Sequence, residues 1–184
     1  VVNTDDVDSG YFAMATRAGY VKRTAISEFE NVHSGGIRAI SLEDDDSLID
    51  VEVTPGDGDL LLGTRNGMTI RFAESDARPM GRSARGVNGI KLQGDDRVAG
   101  LVAASPDAER DLLTVTKNGY GKRTPPSQYR QQSRYGHGLI HLQTDQRNGP
   151  VRSINTVYGD HGLLHIRHYG QVMPTPLAHI SALT

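Results

Sequence analysis

Apolar and polar positions alternate in short runs along this chain, and the runs come in pairs. Tyr11–Thr16, Leu60–Thr64, Leu112–Thr116 and Leu163–Arg167 each read as a strand of four to six residues. Each is followed by a tight polar loop that closes on a glycine and then by a second short run. A glycine there supplies the positive φ that a hairpin turn demands. After the first three pairs comes a third segment, Gly36–Leu42, Gly89–Leu92 and Gly138–Leu142. A polar turn follows (Glu43–Ser47, Gln93–Arg97, Gln143–Gly149), and then a fourth apolar run, Leu48–Val53, Val98–Val102 and Val151–Val157. The pattern predicts two hairpins per unit, the second built from the third and fourth runs around the polar turn. No segment holds a 3.6-residue apolar period over more than about ten residues, so little helix is expected.

The units repeat. Thr16-Arg-Ala-Gly19-Tyr-Val-Lys-Arg-Thr24 returns as Thr64-Arg-Asn-Gly67-Met-Thr-Ile-Arg-Phe72 and as Thr116-Lys-Asn-Gly119-Tyr-Gly-Lys-Arg-Thr124, with a weaker copy at Arg167-His-Tyr-Gly170-Gln-Val-Met-Pro-Thr175. Their glycines stand 48, 52 and 51 residues apart. Four-stranded units at a period near 50 residues are the arithmetic of an all-β, propeller-like array. The repeats run over about 11–58, 59–110 and 111–160, with a partial copy over 161–184; residues 1–10 read as the tail of an earlier unit or linker. Three and a half units leave the ring incomplete and both sheet edges open, so a piece of a larger array is expected.

Composition narrows the chemistry. The chain has 184 residues and no Cys, which removes disulfide scaffolds, Cys-ligated zinc, iron–sulfur clusters and thiol catalysis. No apolar run approaches the roughly 18 residues of a membrane span, and a cytoplasmic setting without membrane contact is expected. The net charge of −2 conceals strong sorting. Residues 16–24, 64–72, 78–91 and 116–141 hold 14 of the 20 Lys and Arg and none of the acids, whereas Glu43–Asp59 holds eight acids and no base. On a radial repeat, equivalent positions recur around the molecule. Basic hairpins then form a stripe with the acidic turns elsewhere, the electrostatic footprint of a polyanion. Candidate phosphate contacts are Lys22, Arg23, Arg71, Lys122 and Arg123 in the second strands. A further set, Arg78, Arg82, Arg85, Arg130 and Arg134, lies in the loops. Tyr20, Tyr120 and Tyr135 are either packing residues, the commoner role of a strand tyrosine, or contacts to sugar or phosphate.

Gly19-Tyr-Val-Lys-Arg-Thr24, Lys117-Asn-Gly-Tyr-Gly-Lys-Arg-Thr124, Met80-Gly-Arg-Ser-Ala-Arg-Gly-Val-Asn-Gly-Ile-Lys-Leu92 and the acidic turn Gly94-Asp-Asp-Arg-Val98 together resemble the C-terminal domain of the DNA gyrase A protein, from about Gly10 onward. The resemblance implies a β-pinwheel, a six-bladed ring whose neighbouring blades exchange strands. It also implies non-catalytic wrapping of double-stranded DNA on a basic rim, in support of ATP-dependent negative supercoiling by a type II topoisomerase. The implied partners are DNA phosphates, the rest of the gyrase A protein and the gyrase ATPase protein; no cofactor is implied, and the implied location is cytoplasmic and nucleoid-associated. Two departures stand out. The family's Gln-Arg-Arg-Gly-Gly-Lys-Gly heptapeptide is absent, its loop equivalents being Glu30–Gly36 and Gln131–Gly138. The fourth copy carries Met173-Pro174 where the first and third carry Lys-Arg. The second implies a weaker DNA surface on that copy, and the missing heptapeptide keeps the equivalent domain of topoisomerase IV as an alternative, beside a propeller-like protein-interaction scaffold.

Enzymatic readings find little. Gly56-Asp-Gly-Asp-Leu60 has no following Gly-Lys-Ser/Thr, so it is no phosphate loop of the Walker kind. His161, His165 and His168, and His137 with His141, are the only histidine groupings, and their spacing is poor for a metal. Asp44–Asp46 lacks the spacing of a calcium loop.

Overall fold

Thirteen strands are found in the computed structural model, which describes residues 9–32, 34–104, 110–159, 176, 178 and 180 in full and 163–168 and 171–175 as backbone. They are β1 (Tyr11–Thr16), β2 (Tyr20–Ala25), β3 (Leu48–Thr54), β4 (Asp59–Thr64), β5 (Met68–Ala73), β6 (Val87–Asn88), β7 (Val98–Ala104), β8 (Arg110–Thr116), β9 (Gly121–Thr124), β10 (Leu139–Ile140), β11 (Val151–Tyr158), β12 (Leu163–His168) and β13 (Gln171–Pro176). Three short 3-10 turns, Ile26–Phe29, Glu74–Asp76 and Pro126–Gln128, follow β2, β5 and β9.

The recurring Thr-x-x-Gly motif builds the first hairpin the same way each time. The amides of Gly19, Gly67 and Gly119 donate to the carbonyls of Thr16, Thr64 and Thr116 at 3.0–3.1 Å. The threonine hydroxyls accept from the next amides, Tyr20, Met68 and Tyr120, at 3.1–3.3 Å. Each of the three glycines has φ between +86° and +90°. Local chemistry therefore favours the same turn in each repeat.

The expected second hairpin does not form. The third segments of the second and third repeats pair instead with the second strand of the preceding blade. Two four-stranded sheets result, in the orders β3-β1-β2-β6 and β10-β5-β4-β7. Tyr20 and Val21 pair with Asn88 and Val87, and Thr69 and Met68 with Leu139 and Ile140. A blade thus borrows its outer strand from the next repeat, the strand exchange implied by the family resemblance. Residues 37–43, the corresponding segment of the first repeat, form no strand. The physical reason is edge satisfaction: β2 and β5 each offer an unpaired row of backbone groups, and the following repeat lies against it. The fourth run returns to pair with the first strand, β3 with β1, β7 with β4 and β11 with β8.

Stacking buries both faces of the middle blade. All six residues of β4 are buried. Leu60 and Leu62 join Val21, Ile70, Phe72 and Leu101 in one core cluster, while Leu61 joins Val102, Leu112 and Ile154 in another. Alternation along β4 therefore sends successive leucines to opposite interblade cores, which is why this strand reads as a continuous apolar run. The strands β3 and β11 both pack against β7. These mark the inner edge of the array, and β6 and β10 mark the outer one.

Candidate nucleic-acid interface

The cations of the second strands point inward. Lys22 is fully buried, and its Nζ donates to the carbonyls of Ala39 and Arg82 at 2.6 Å each. Burial pulls its pKa down to about 8, partly opposed by Glu28. Lys122 Nζ donates to the carbonyl of His141 at 2.9 Å, and burial lowers its pKa as well. Ala39 and His141 occupy equivalent places in their repeats, so each lysine ties down the third segment of its own repeat.

The arginines beside them clamp neighbouring blades. Arg23 Nε donates to the Ala77 carbonyl at 2.7 Å, and Nη1 reaches the Gly56 carbonyl at 3.2 Å and lies 3.6 Å from Glu74. Its guanidinium also covers the Tyr11 ring, 4.6 Å from the centroid. Arg71 holds Asp59 through Nε at 2.7 Å and Nη2 at 2.6 Å, and its Nη1 donates to the carbonyls of Pro126 and Tyr129 in the next repeat. Arg123 is buried and pairs with Asp111 at 2.9 Å. The structure gives these five positions, expected from the sequence to touch phosphate, partners inside the protein. Lys22, Arg23 and Arg123 are buried and Arg71 and Lys122 half-buried, and carboxylates and carbonyls already neutralise or bind their charge. The sequence held a clue: Ile70 stands in the second repeat where Lys22 stands in the first, and it is fully buried.

The loop cations fare differently. Arg78 and Arg130 occupy matching positions just before the parallel bridges Arg23↔Pro79 and Arg71↔Gln131, and both are exposed. Neither has an ion-pair or hydrogen-bond partner among the described residues. Arg82 is half-buried and lines a groove of about 460 Å³ together with Arg38. Arg85 is exposed, pairs with Glu43 and lies 4.3 Å from the Tyr20 ring centroid. Arg134 is half-buried and donates to the carbonyls of Asp76 at 3.1 Å and Asn88 at 3.0 Å, so its guanidinium braces the outer strand. Two cations were absent from the sequence candidates. Arg38 and Lys91 follow equivalent Gly-Ile pairs and are both exposed, as is Ile140, the matching residue of the third repeat, at 68%. The signal was the alternation Gly-Ile-Arg and Gly-Ile-Lys, in which the isoleucine faces in and the cation out. Tyr120 and Tyr135 are exposed; Tyr120 is covered by the Arg147 guanidinium, 5.1 Å away.

The acidic turns do not lie apart from the basic hairpins. Asp46 Oδ1 accepts from the amides of Ala18 and Ser47, and Asp96 Oδ1 from those of Asn66 and Arg97, at 2.8–2.9 Å. These carboxylates cap the hairpin turns. Gly56–Leu60 is likewise structural: Gly58 N donates to Glu74 Oε1 at 3.3 Å. His141 is buried between the hydroxyls of Thr114 (2.6 Å from Nε2) and Tyr129 (at Nδ1), and burial, aided by Lys122, lowers its pKa to about 4. His137 Nδ1 meets Gln93 Nε2 at 3.1 Å. Among the described residues no three His, Asp or Glu side chains are grouped as for a metal. His161 and the side chains of His165, His168, Met173 and Pro174 lie outside the described residues, as do Val1–Asp8.

Comparison with known proteins agrees with this fold. The family model for the DNA gyrase C-terminal domain, beta-propeller, matches residues 10–55, 58–105 and 110–148. The DNA gyrase A protein of Haloquadratum walsbyi is 52% identical over 188 residues, covering 100% of this chain and 22% of the relative. The same protein of Staphylococcus epidermidis is 41% identical over 174 residues, covering 95% and 20%. The chain thus spans about a fifth of the length of these relatives. A solved DNA gyrase A C-terminal domain superposes with a TM-score of 0.86 at 25% identity, covering 98% of this chain and 60% of that one. A DNA topoisomerase IV C-terminal domain gives the same TM-score at 22% identity, covering 99% and 56%, which is a likeness of fold.

Proposed function

Because the chain belongs to the family of DNA gyrase C-terminal β-propeller domains, we propose that it wraps duplex DNA along the outer edge of its blades, through cations in the loops between hairpins. The observation that carries this reading is the repetition, at equivalent places in successive repeats, of solvent-facing cations with no partner among the described residues, Arg78 with Arg130 and Arg38 with Lys91. Such contacts need no base recognition. They supply phosphate neutralisation along a curved path, and many of them together offset the few kcal/mol that bending costs. The second-strand cations serve the same end indirectly, because Lys22 and Arg23 grip the carbonyls of Arg82 and Ala77 and so hold the loop that presents Arg78 and Arg85.

On the same reading the domain works beside the rest of the gyrase A protein and an ATPase protein, in a complex that introduces negative supercoils with ATP. A cytoplasmic, nucleoid-associated location belongs to this proposal. Among the described residues no helix is long and apolar enough to cross a membrane.

Titration of a long duplex into the protein at increasing salt tests it. Affinity is expected to fall on the order of a thousandfold between roughly 50 and 200 mM salt if six or more phosphates are engaged. Arg78→Glu with Arg130→Glu is expected to weaken binding at every salt and to flatten the salt dependence by about two counterions. An unchanged affinity in that variant, or no salt dependence in the parent, would overturn the rim assignment. A linking-number change in nicked plasmid religated on the protein reads wrapping directly.

A further inference from the structure

A second basic surface lies at the opposite edge of the blades from the rim. A cleft of about 660 Å³ opens where the three inner strands begin, and five cations line it: Arg17, Arg65, Arg97, Lys117 and Arg152. Among the described residues no carboxylate lines it. Arg17, Arg65 and Lys117 are the second residues of the three Thr-x-x-Gly turns, so the repeat itself places one cation per blade at this mouth. Their backbones are pinned. Each amide donates to the residue just before an inner strand, Ser47, Arg97 or Pro150, at 2.8 Å. The carbonyls of Arg17 and Arg65 in turn accept from Val98 and Val151 of the next blade at 3.0 and 2.8 Å. The nearby acids Asp46 and Asp96 each give one oxygen, Oδ1, to turn amides and do not line the cleft. Among the described residues Arg65, Arg97, Lys117 and Arg152 have no ion-pair partner, and Arg17 reaches only a carbonyl, that of Asp45.

Like charges gathered in a concave, partly apolar site raise one another's energy and focus positive potential into it. A multivalent anion relieves that repulsion. The volume falls within the range of small-molecule sites. Guanidinium groups bind phosphate oxygens in bidentate fashion, and four of the five cations are arginines. Ile49, Ala99 and Val151 lie among the cations and offer apolar surface for a compact organic group.

We propose that this axial cleft binds a small polyphosphate compound, of the class that includes nucleoside triphosphates, independently of the DNA-binding rim. The shared chemistry is the polyphosphate chain, held by Arg65, Arg97 and Lys117.

Calorimetric titration of the full-length protein with sodium tripolyphosphate, and separately with ATP, tests the site. Magnesium is omitted and ionic strength kept low. Arg65→Ser with Arg97→Ser is expected to weaken tripolyphosphate binding at least tenfold, while binding of duplex DNA and the melting temperature are retained. Arg78→Ser with Arg130→Ser is expected to do the reverse, lowering DNA affinity and leaving tripolyphosphate binding intact. Tighter binding of ATP than of tripolyphosphate assigns the apolar surface to a nucleoside; equal binding assigns the site to the phosphate chain alone. The proposal is overturned if tripolyphosphate does not bind, if the cleft variant binds it like the parent, or if the cleft variant loses DNA instead. Lys117→Ser gives an independent reading should the double variant not fold, with the same loss expected.

Discussion

At the residue scale, position outranks charge. Lys22, Arg23, Arg71 and Arg123 are as cationic as Arg78, yet they spend their charge inside the protein. Arg71 shows what this means energetically. It is the main partner of Asp59, whose other side-chain bond comes from Gln131 Nε2 at 2.9 Å, and it bonds two carbonyls of the following repeat. Arg71→Met would leave Asp59, which is 7% exposed, without its cation. The expected loss is about 3 kcal/mol, the low end for a broken buried pair, because Arg71 keeps 21% of its side chain exposed. Urea unfolding measures it, and adding Asp59→Leu should restore much of the loss, since no uncompensated charge then remains. A loss no larger than that of a surface arginine would contradict the clamp.

At the element scale, identical turns carry different loads. Gly67 and Gly119 share a motif and a φ of +86°. A Cβ on Gly119 would meet nothing within 4 Å, whereas one on Gly67 would stand 1.9 Å from the Leu142 carbonyl oxygen. The Gly67 carbonyl also accepts from the amides of His141 and Leu142, which seat the exchanged strand β10. Gly119→Ala is therefore expected to cost about 1–2 kcal/mol, the penalty of left-handed backbone. Gly67→Ala should cost that and a further 1–3 kcal/mol or so for displacing the packed carbonyl. Chemical denaturation of the two variants side by side checks the difference. The strands themselves were legible from alternation and turn chemistry, which are local. The partners of the third segments were not, because period-two patterning sets which face a side chain takes and is silent about which distant edge receives the backbone.

At the scale of the whole molecule, blades meet along their inner edges, and ionisable groups are caught there. Asp50 Oδ2 accepts from Leu101 N of the next blade at 3.4 Å. Glu52, two residues along β3, has its pKa raised to about 7 by burial and by Asp50, against the pull of Arg110. Its carboxyl ionises near 4.5 in the unfolded chain but only near 7 in the folded one, so the folded state binds the extra proton between these values. Stability contributed through Glu52 is thus present below pH 4.5 and declines as pH rises through 7. Glu52→Gln should melt higher than the parent at about pH 8, with the difference shrinking to nothing near pH 4. Thermal melts across that range decide it, and a pH-independent difference would refute the shift.

The repeat, the all-β architecture, the three glycine turns and the sorting of charge were all determined by sequence, because each depends on residues within a few positions of one another or on recurrence at one period. Only the tertiary structure decided which strand completes each blade and which cations reach solvent. A strand's alternation assigns Lys22 and Ile70 to the same side, but whether that side is covered depends on a neighbouring blade some fifty residues away. Stacking covers it, and the positive surface passes to Arg78, Arg130, Arg38 and Lys91 on the outer loops and to the ring of turn cations at the inner edge.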